Sequence, residues 1–258
     1  MAKNRNKNTS RALFYLSIFL LLVAGYWYAK KFDLFEDSDV TFVQYPAFGI
    51  EIPTDYTIHG IDVSHHQKSV NWKLVKQMKV ADIRIGFSFI KATEGIGMVD
   101  DMFRRNWRKS KEVGVIRGAY HYFVPYKSGK AQAENFIQTV ELLPGDLPPV
   151  LDVETLGGSN ATEMKQNAKE WLQTVEEYYK VKPIIYTGVD FYSKNLGDDF
   201  NKYPLWAAHY QQKTEPRINR PWNIWQHNEG GHVNGIITTV DFNAFYGDSI
   251  AFKKMLLK

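Results

Sequence analysis

The 258-residue chain has no cysteine, which excludes a disulfide framework, a thiol nucleophile and any cysteine-bearing metal site. It is also not short of apolar residues: 44% are hydrophobic and 15% aromatic, which argues against disorder and allows a sizeable core without covalent staples. No repeat of fixed period occurs, and no Gly-x-Gly-x-x-Gly turn follows the first predicted strand, so neither a solenoid nor a dinucleotide-binding sheet is indicated. The formal charge of +4 suggests an acidic partner only until the charges are located. Lys3, Arg5, Lys7, Arg11, Lys30 and Lys31 all precede the first acidic residue, Asp33, and from residue 32 onward 26 basic residues face 28 acidic ones. The body of the chain is near neutrality, and nucleic acid is not an expected partner.

One long uncharged run stands out, Ala12 to Ala29. As a helix it would reach about 27 Å at about 1.5 Å per residue, enough for one crossing of the hydrocarbon layer. Four basic residues precede it, two follow it, and Tyr26, Trp27 and Tyr28 stand where an interfacial aromatic belt would lie. The pattern predicts a cytoplasmic basic tail over 1–11, a single-pass transmembrane anchor over 12–29, and a body exported to the periplasm or cell surface. Cleavage after Ala29 is disfavoured because no small residue stands three positions before it. Residues 30–57 contain Glu36, Asp37, Asp39, Pro46 and Pro53 without a sustained period, and read as a stalk whose hydrophobic residues are free to dock on the main domain.

The main domain is expected over 58–258. Short β-branched or apolar runs near 58–63, 83–91, 115–122, 149–153 and 183–187 alternate with helical patterns near 71–78, 100–113, 129–142 and 162–179. Further runs near 204–209, 223–227 and 237–242 follow with little room for helices between them. Eight strands with fewer helices predict an irregular (β/α) barrel of the TIM type, at the low end of the usual length. An open doubly wound sheet is the competing architecture.

In such a barrel, functional groups collect where the strands end, so polar residues finishing apolar strands matter most. The fourth strand reads Pro148-Pro149-Val150-Leu151-Asp152-Val153-Glu154. Alternation puts Asp152 and Glu154 on one side, where two like charges repel and one carboxyl is expected to keep its proton. Glycoside hydrolysis needs that division: a protonated carboxyl to protonate the departing oxygen, and a carboxylate to stabilise or attack the sugar carbon. Glu154, farther out on the strand, is the expected acid. Alone, an Asp-x-Glu pair is more often a solvated strand end; Asp62 and Asp241, ending the first and last strands, argue that several carboxyls converge. Tyr120, Tyr122, Tyr186, Trp206, Tyr210 and Trp225 lie at or near strand ends and suit the flat faces of sugar rings, although each singly reads as core or rim. His121 and His209 are expected to hydrogen-bond carboxylates or sugar hydroxyls, with a buried core histidine as the equal alternative for each. Adjacent His65 and His66, and His227 with His232, lack metal-ligand spacing, so neither metal nor cofactor is expected.

Asp62-Val-Ser-His-His-Gln67, Ile90-Lys-Ala-Thr-Glu-Gly95, Gly118-Ala-Tyr-His-Tyr122, Leu151-Asp-Val-Glu154, Leu205-Trp-Ala-Ala-His-Tyr210 and Val240-Asp-Phe-Asn243 occur in that order. Over roughly residues 58 to 243 they make the chain resemble glycoside hydrolase family 25 lysozymes. The resemblance implies an irregular β/α barrel and muramidase activity on the β-1,4 bond between N-acetylmuramic acid and N-acetylglucosamine of peptidoglycan. It implies Glu154 as proton donor, with Asp152, Asp62 and Asp241 completing the acidic site and Asp152 acting either as nucleophile or on the substrate acetamido group. The departures are Lys68 where the family often has glycine, Asn71 where aspartate is common, and a longer segment from Lys79 to Arg84. Glu94 is expected to brace the mouth. A monomer is expected. A catalytically silent wall-binding protein and a chitin-type glycosidase are the readings that compete with a muramidase.

Overall fold

The computed structural model describes residues 13–25, 40–210 and 212–258, and the chain divides into two compact units between Asp39 and Val40. In the first unit residues 13–25 are helical, and their large apolar side chains are exposed. Ser17, the polar residue of this helix, turns its hydroxyl back to donate to the Phe14 carbonyl at 2.7 Å. Residues 13–25 give only about 20 Å of helix. Among the described residues no helix is long and apolar enough to cross a membrane, so the span expected over 12–29 is not carried by them. The basic tail over 1–11 and the ends of that run, residues 12 and 26–29, lie outside the described residues.

The second unit begins earlier than the expected boundary at residue 58. Residues from Val40 onward are not stalk: β1 (Phe42–Tyr45) and β2 (Ile50–Pro53) form an antiparallel hairpin. Its apolar side chains are anchored on the barrel. Phe48 is fully buried and meets Phe242 edge-on at 5.3 Å, while Phe42 meets Trp225 at 5.8 Å. The physical reason is alternation over only four residues per strand, Ile50 and Ile52 inward with Glu51 outward, a period too short to stand out beside two prolines.

The strands that follow are β3 (His59–Val63), β4 (Lys79–Val80), β5 (Ile83–Glu94), β6 (Met98–Val99), β7 (Ile116–Tyr122), β8 (Val150–Asp152), β9 (Ile184–Gly188), β10 (Leu205–Ala208), β11 (Ile224–Gly231) and β12 (Val240–Phe245). Eight of them close a barrel in the order β3-β12-β11-β10-β9-β8-β7-β5, with β5 pairing back to β3. The small β4 pairs with the start of β5, so the long segment from Lys79 to Arg84 is a tight hairpin turning at Ala81. Helices Trp72–Gln77, Phe103–Glu112, Gly129–Thr139 and Ala161–Tyr179 follow β3, β5, β7 and β8 on the outside. Asn71, Ser128 and Asn160 cap three of them by accepting backbone N–H groups. After β9 no full-length helix intervenes between strands among the described residues, as the spacing predicts: three short helical turns over Val189–Phe200 precede β10, and a loop leads from β10 to β11.

The barrel interior holds Phe87, Phe89, Val150, Ile184, Trp206, Ile224 and Phe245. Gly60 and Gly118 leave room for the Phe87 and Phe89 rings, since a Cβ on either would stand 2.5 Å from ring carbons. Phe252, from the helix Ser249–Met255, closes the floor against Phe87 and Phe245. One strand departs from the expected topology: β12 runs antiparallel to both β11 and β3. Asp241 therefore begins its strand where Asp62 approaches the end of its own, and the two residues face each other in register.

Candidate active site

Side-chain parity decides which residues reach the mouth. On β7, Tyr120 and Tyr122 point inward; on β8, Asp152 does, and Glu154 follows two residues later. Asp62, Asp152, Glu154 and Asp241 line one open cavity of about 240 Å³, walled by Tyr120, Tyr122, Tyr186, Trp206 and Tyr210. Lys91, Gln226, Ser64 and His66 complete the lining.

The carboxyls fall into two pairs. Asp62 is buried and accepts from the Gln226 amide at 2.9 Å and the Asn243 amide at 2.8 Å on one oxygen, Oδ2. Burial nevertheless raises its pKa against those hydrogen bonds. Its partner Asp241 is pushed up to about 9, first by burial and then by the Asp62 charge. In the second pair, burial and then the neighbouring Glu154 charge hold Asp152 well above the usual carboxylate range. The Lys91 ammonium opposes that rise. Crowding like charges in a poorly hydrated rim thus favours the protonated form of Asp241 and of Asp152. Oδ1 of Asp152 is buried and has no hydrogen-bond partner among the described residues.

The amides that hold Asp62 are themselves held. Gln226 Oε1 accepts from the hydroxyls of Tyr186 and Tyr210, each at 2.6 Å, and Asn243 Oδ1 accepts from the Trp206 indole at 2.7 Å. Trp206 stacks on Phe89 at 4.4 Å, which ties the mouth to the barrel core. Lys91 donates to Glu94 at 2.6 Å and sits 4.8 Å over the Tyr122 ring, so Glu94 positions the lysine. Beside the cavity, buried Asp100 accepts the backbone N–H of His65 at 2.9 Å and lies 2.7 Å from its Nδ1, and the His65 ring packs 4.1 Å from that of His66.

Three aromatic or imidazole groups expected at the mouth are elsewhere. His121 lies between Tyr120 and Tyr122 and so faces outward; its ring nitrogens meet Thr93 at 2.7 Å and Gln132 at 3.2 Å, and it stacks on Trp171. Burial pushes its pKa down to about 3. It is the satisfied core histidine. His209 accepts from the Arg217 backbone at 3.4 Å and its carbonyl accepts the Trp225 indole at 2.8 Å, bracing the loop rather than lining the cavity. Trp225 faces the N-terminal hairpin. The residues missed were Gln226 and Asn243, although Asn243 stands two positions from Asp241 and shares its parity; Lys91 lay within a quoted motif without a role. Among the described residues no group of His, Asp or Glu gathers to hold a metal.

Four carboxyls at the mouth of a β/α barrel, walled by aromatic rings, form the arrangement that glycoside hydrolysis by paired carboxyls requires. Residues 61–236 match the family model described as Glycosyl hydrolases family 25. The chain is 49% identical over 201 residues to the uncharacterized protein YegX of Escherichia coli (strain K12), covering 78% of this chain and 74% of that one. It is 34% identical over 212 residues to Lysozyme M1 of Streptomyces globisporus, covering 74% and 69%. Among solved structures, the bacterial lysozyme from Streptomyces coelicolor aligns with a TM-score of 0.69 at 32% identity, over 77% of this chain and 96% of that one. The chain belongs to glycoside hydrolase family 25 and is an enzyme of the lysozyme class. Lys68 holds φ +52, a left-handed conformation that glycine adopts more easily.

Proposed function

We propose that this protein is a membrane-anchored muramidase that cleaves the β-1,4 bond between N-acetylmuramic acid and N-acetylglucosamine in peptidoglycan. The observation that carries the reading is the meeting of Asp62, Asp152, Glu154 and Asp241 around one cavity. Glu154 donates a proton to the glycosidic oxygen as the bond to the sugar carbon breaks. Asp152, which lines the same cavity, acts as nucleophile or as acceptor for the acetamido N–H. Asp62 and Asp241 set the charge of the opposite wall, and Tyr120, Tyr122, Tyr186 and Trp206 offer ring faces and hydroxyls to the glycan.

Anchoring is supported by the basic residues before the apolar run and by the exposed Leu13, Phe14, Leu16, Phe19, Leu20 and Leu21 side chains of the helix over 13–25. That orientation leaves the barrel outside the cytoplasm, where its substrate is. Mass spectrometry of muropeptides released from purified sacculi tests the bond assignment. Glu154→Gln is expected to abolish release of reducing ends while the thermal melt stays near that of the parent; full activity in that variant would remove Glu154 as the acid.

A further inference from the structure

The near-neutral body conceals a strongly lopsided surface. Between Lys68 and Arg84 and between Arg104 and Arg117 there are 11 basic and two acidic side chains, while the rest of the second unit has 15 basic and 22 acidic; of the 11, Arg117 is buried and paired with Asp146 and does not reach the surface. These two segments are neighbours in space. The Trp72 indole donates to Asn106 at 3.1 Å, and Arg105 donates to the Val70 carbonyl at 2.9 Å, locking the helix Trp72–Gln77 beside the helix Phe103–Glu112.

The second helix buries Phe103, Asn106 and Ser110 against the barrel. Arg104, Arg108 and Lys111, spaced by four and then three residues, share one flank; Arg105 and Lys109, spaced by four, share the other. The helix is thus a ridge with a hollow on each side, one of about 440 Å³ lined by Lys73, Arg105 and Lys109 with Glu112, the other of about 450 Å³ lined by Arg104, Arg108, Lys111 and Trp107 with Glu112 and Glu141. Neutralisation within the ridge is sparse: Glu112 takes Lys109 at 2.6 Å and Arg108 at 3.6 Å, and Arg104, Lys111 and Lys73 form no ion pair among the described residues. A solvated helix face ordinarily mixes both signs. Leu74, 44% exposed between Lys73 and Lys76, adds an apolar contact to the same face.

We infer that this basic flank is a docking surface for an anionic phospholipid bilayer. Two hollows lined with a surplus of cations, Lys73, Arg104 and Lys111 outside any ion pair among the described residues, suit phosphate headgroups, and an exposed leucine and a half-buried tryptophan suit the headgroup boundary. The choice of a bilayer over other polyanions rests on the reading of the apolar helix over 13–25 as membrane-seeking, which would keep the barrel beside a lipid surface and raise its effective concentration there. Docking by the barrel's side leaves the mouth, at one end of the barrel, open to glycan strands.

The test uses residues 40–258, which lack that helix, so its outcome is separate from that of the anchor. This piece holds the buried core found among the described residues, and a solved chain of the family, covered over 96% of its length by the same barrel, is folded without a segment matching residues 13–25. Flotation with phosphatidylcholine vesicles containing phosphatidylglycerol is compared with pure phosphatidylcholine. Each cation near an anionic leaflet strengthens partition about fivefold, so Arg104→Gln/Arg108→Gln/Lys111→Gln is expected to weaken it about a hundredfold. Raising salt to about 1 M, where the Debye length is about 3 Å, should release the parent. The melt and peptidoglycan hydrolysis of the triple variant should match the parent, since none of the three touches the mouth. Equal flotation on neutral vesicles, a triple variant that floats like the parent, or stronger retention on purified sacculi or duplex DNA than on anionic vesicles at the same salt would overturn the proposal. Retention of the full chain on pure phosphatidylcholine tests the anchor independently.

Discussion

Replacing Asp241 by Asn should make the protein more stable, and the gain should depend on pH in a way the site geometry fixes. Burial and the Asp62 charge raise the Asp241 pKa from 3.8 to about 9. Below pH 3.8 both the folded and the unfolded chain hold this proton, and its contribution is fully present. Between pH 3.8 and about 9 only the folded form holds it, so stability falls as pH rises through that window and is lost once the folded pKa is passed. At about 1.36 kcal/mol per pH step, taking up that proton at pH 7 costs about 4 kcal/mol as an upper bound, because Asp62 and Asp241 titrate together. Asn carries a neutral amide at any pH and avoids that cost. For a domain of this size about 4 kcal/mol corresponds to about 10 °C in Tm. Thermal melts of parent and Asp241→Asn at steps from pH 4 to 8 provide the assay. The parent should lose stability with rising pH, the variant should lose less, and the difference should shrink toward zero at the acidic end. A variant that melts lower than the parent at pH 7, or a difference independent of pH, would refute the picture of a proton trapped between Asp62 and Asp241. The same variant should lose hydrolytic activity, so its gain in stability would mark the strain that the site maintains.

Further outcomes follow from neighbouring contacts. Lys91→Met removes the cation that opposes the rise of Asp152, so the kcat/KM profile, which reports the Asp152–Glu154 pair, should move to higher pH; an unmoved profile would separate Lys91 from the acid pair. Gly118→Ala would place a methyl 2.5 Å from the Phe89 ring and should cost about 1–3 kcal/mol, read as a lower denaturant midpoint.

Much of the barrel was legible because its strands are short, apolar and evenly separated, and the ends of β3, β7 and β8 carry the polar residues that face the cavity. The antiparallel direction of β12 was not, since a sequence gives no sign of which way a final strand returns. Asp241 reached the expected rim for a different reason: it enters the strand at the mouth instead of leaving there. His121 illustrates an inference that parity alone would have corrected. Standing between two inward tyrosines, it had to face outward, where Thr93, Gln132 and Trp171 enclose it. Gln226 and Asn243 were missed because amides carry no charge pattern, and their role appears only once β11 and β12 bring them to Asp62. The basic flank was hidden for an arithmetical reason, the sum of opposite charges on separate faces.

The chain of contacts from Tyr186 and Tyr210 through Gln226, and from Trp206 through Asn243, has an evolutionary corollary. The rings that would be exchanged to accept a differently decorated sugar are the same ones that tune a carboxyl's appetite for protons. With those rings carrying the glycan as proposed, substrate range and working pH would be wired to one another, and a lineage that drifts in the first should carry compensating changes at the two amides.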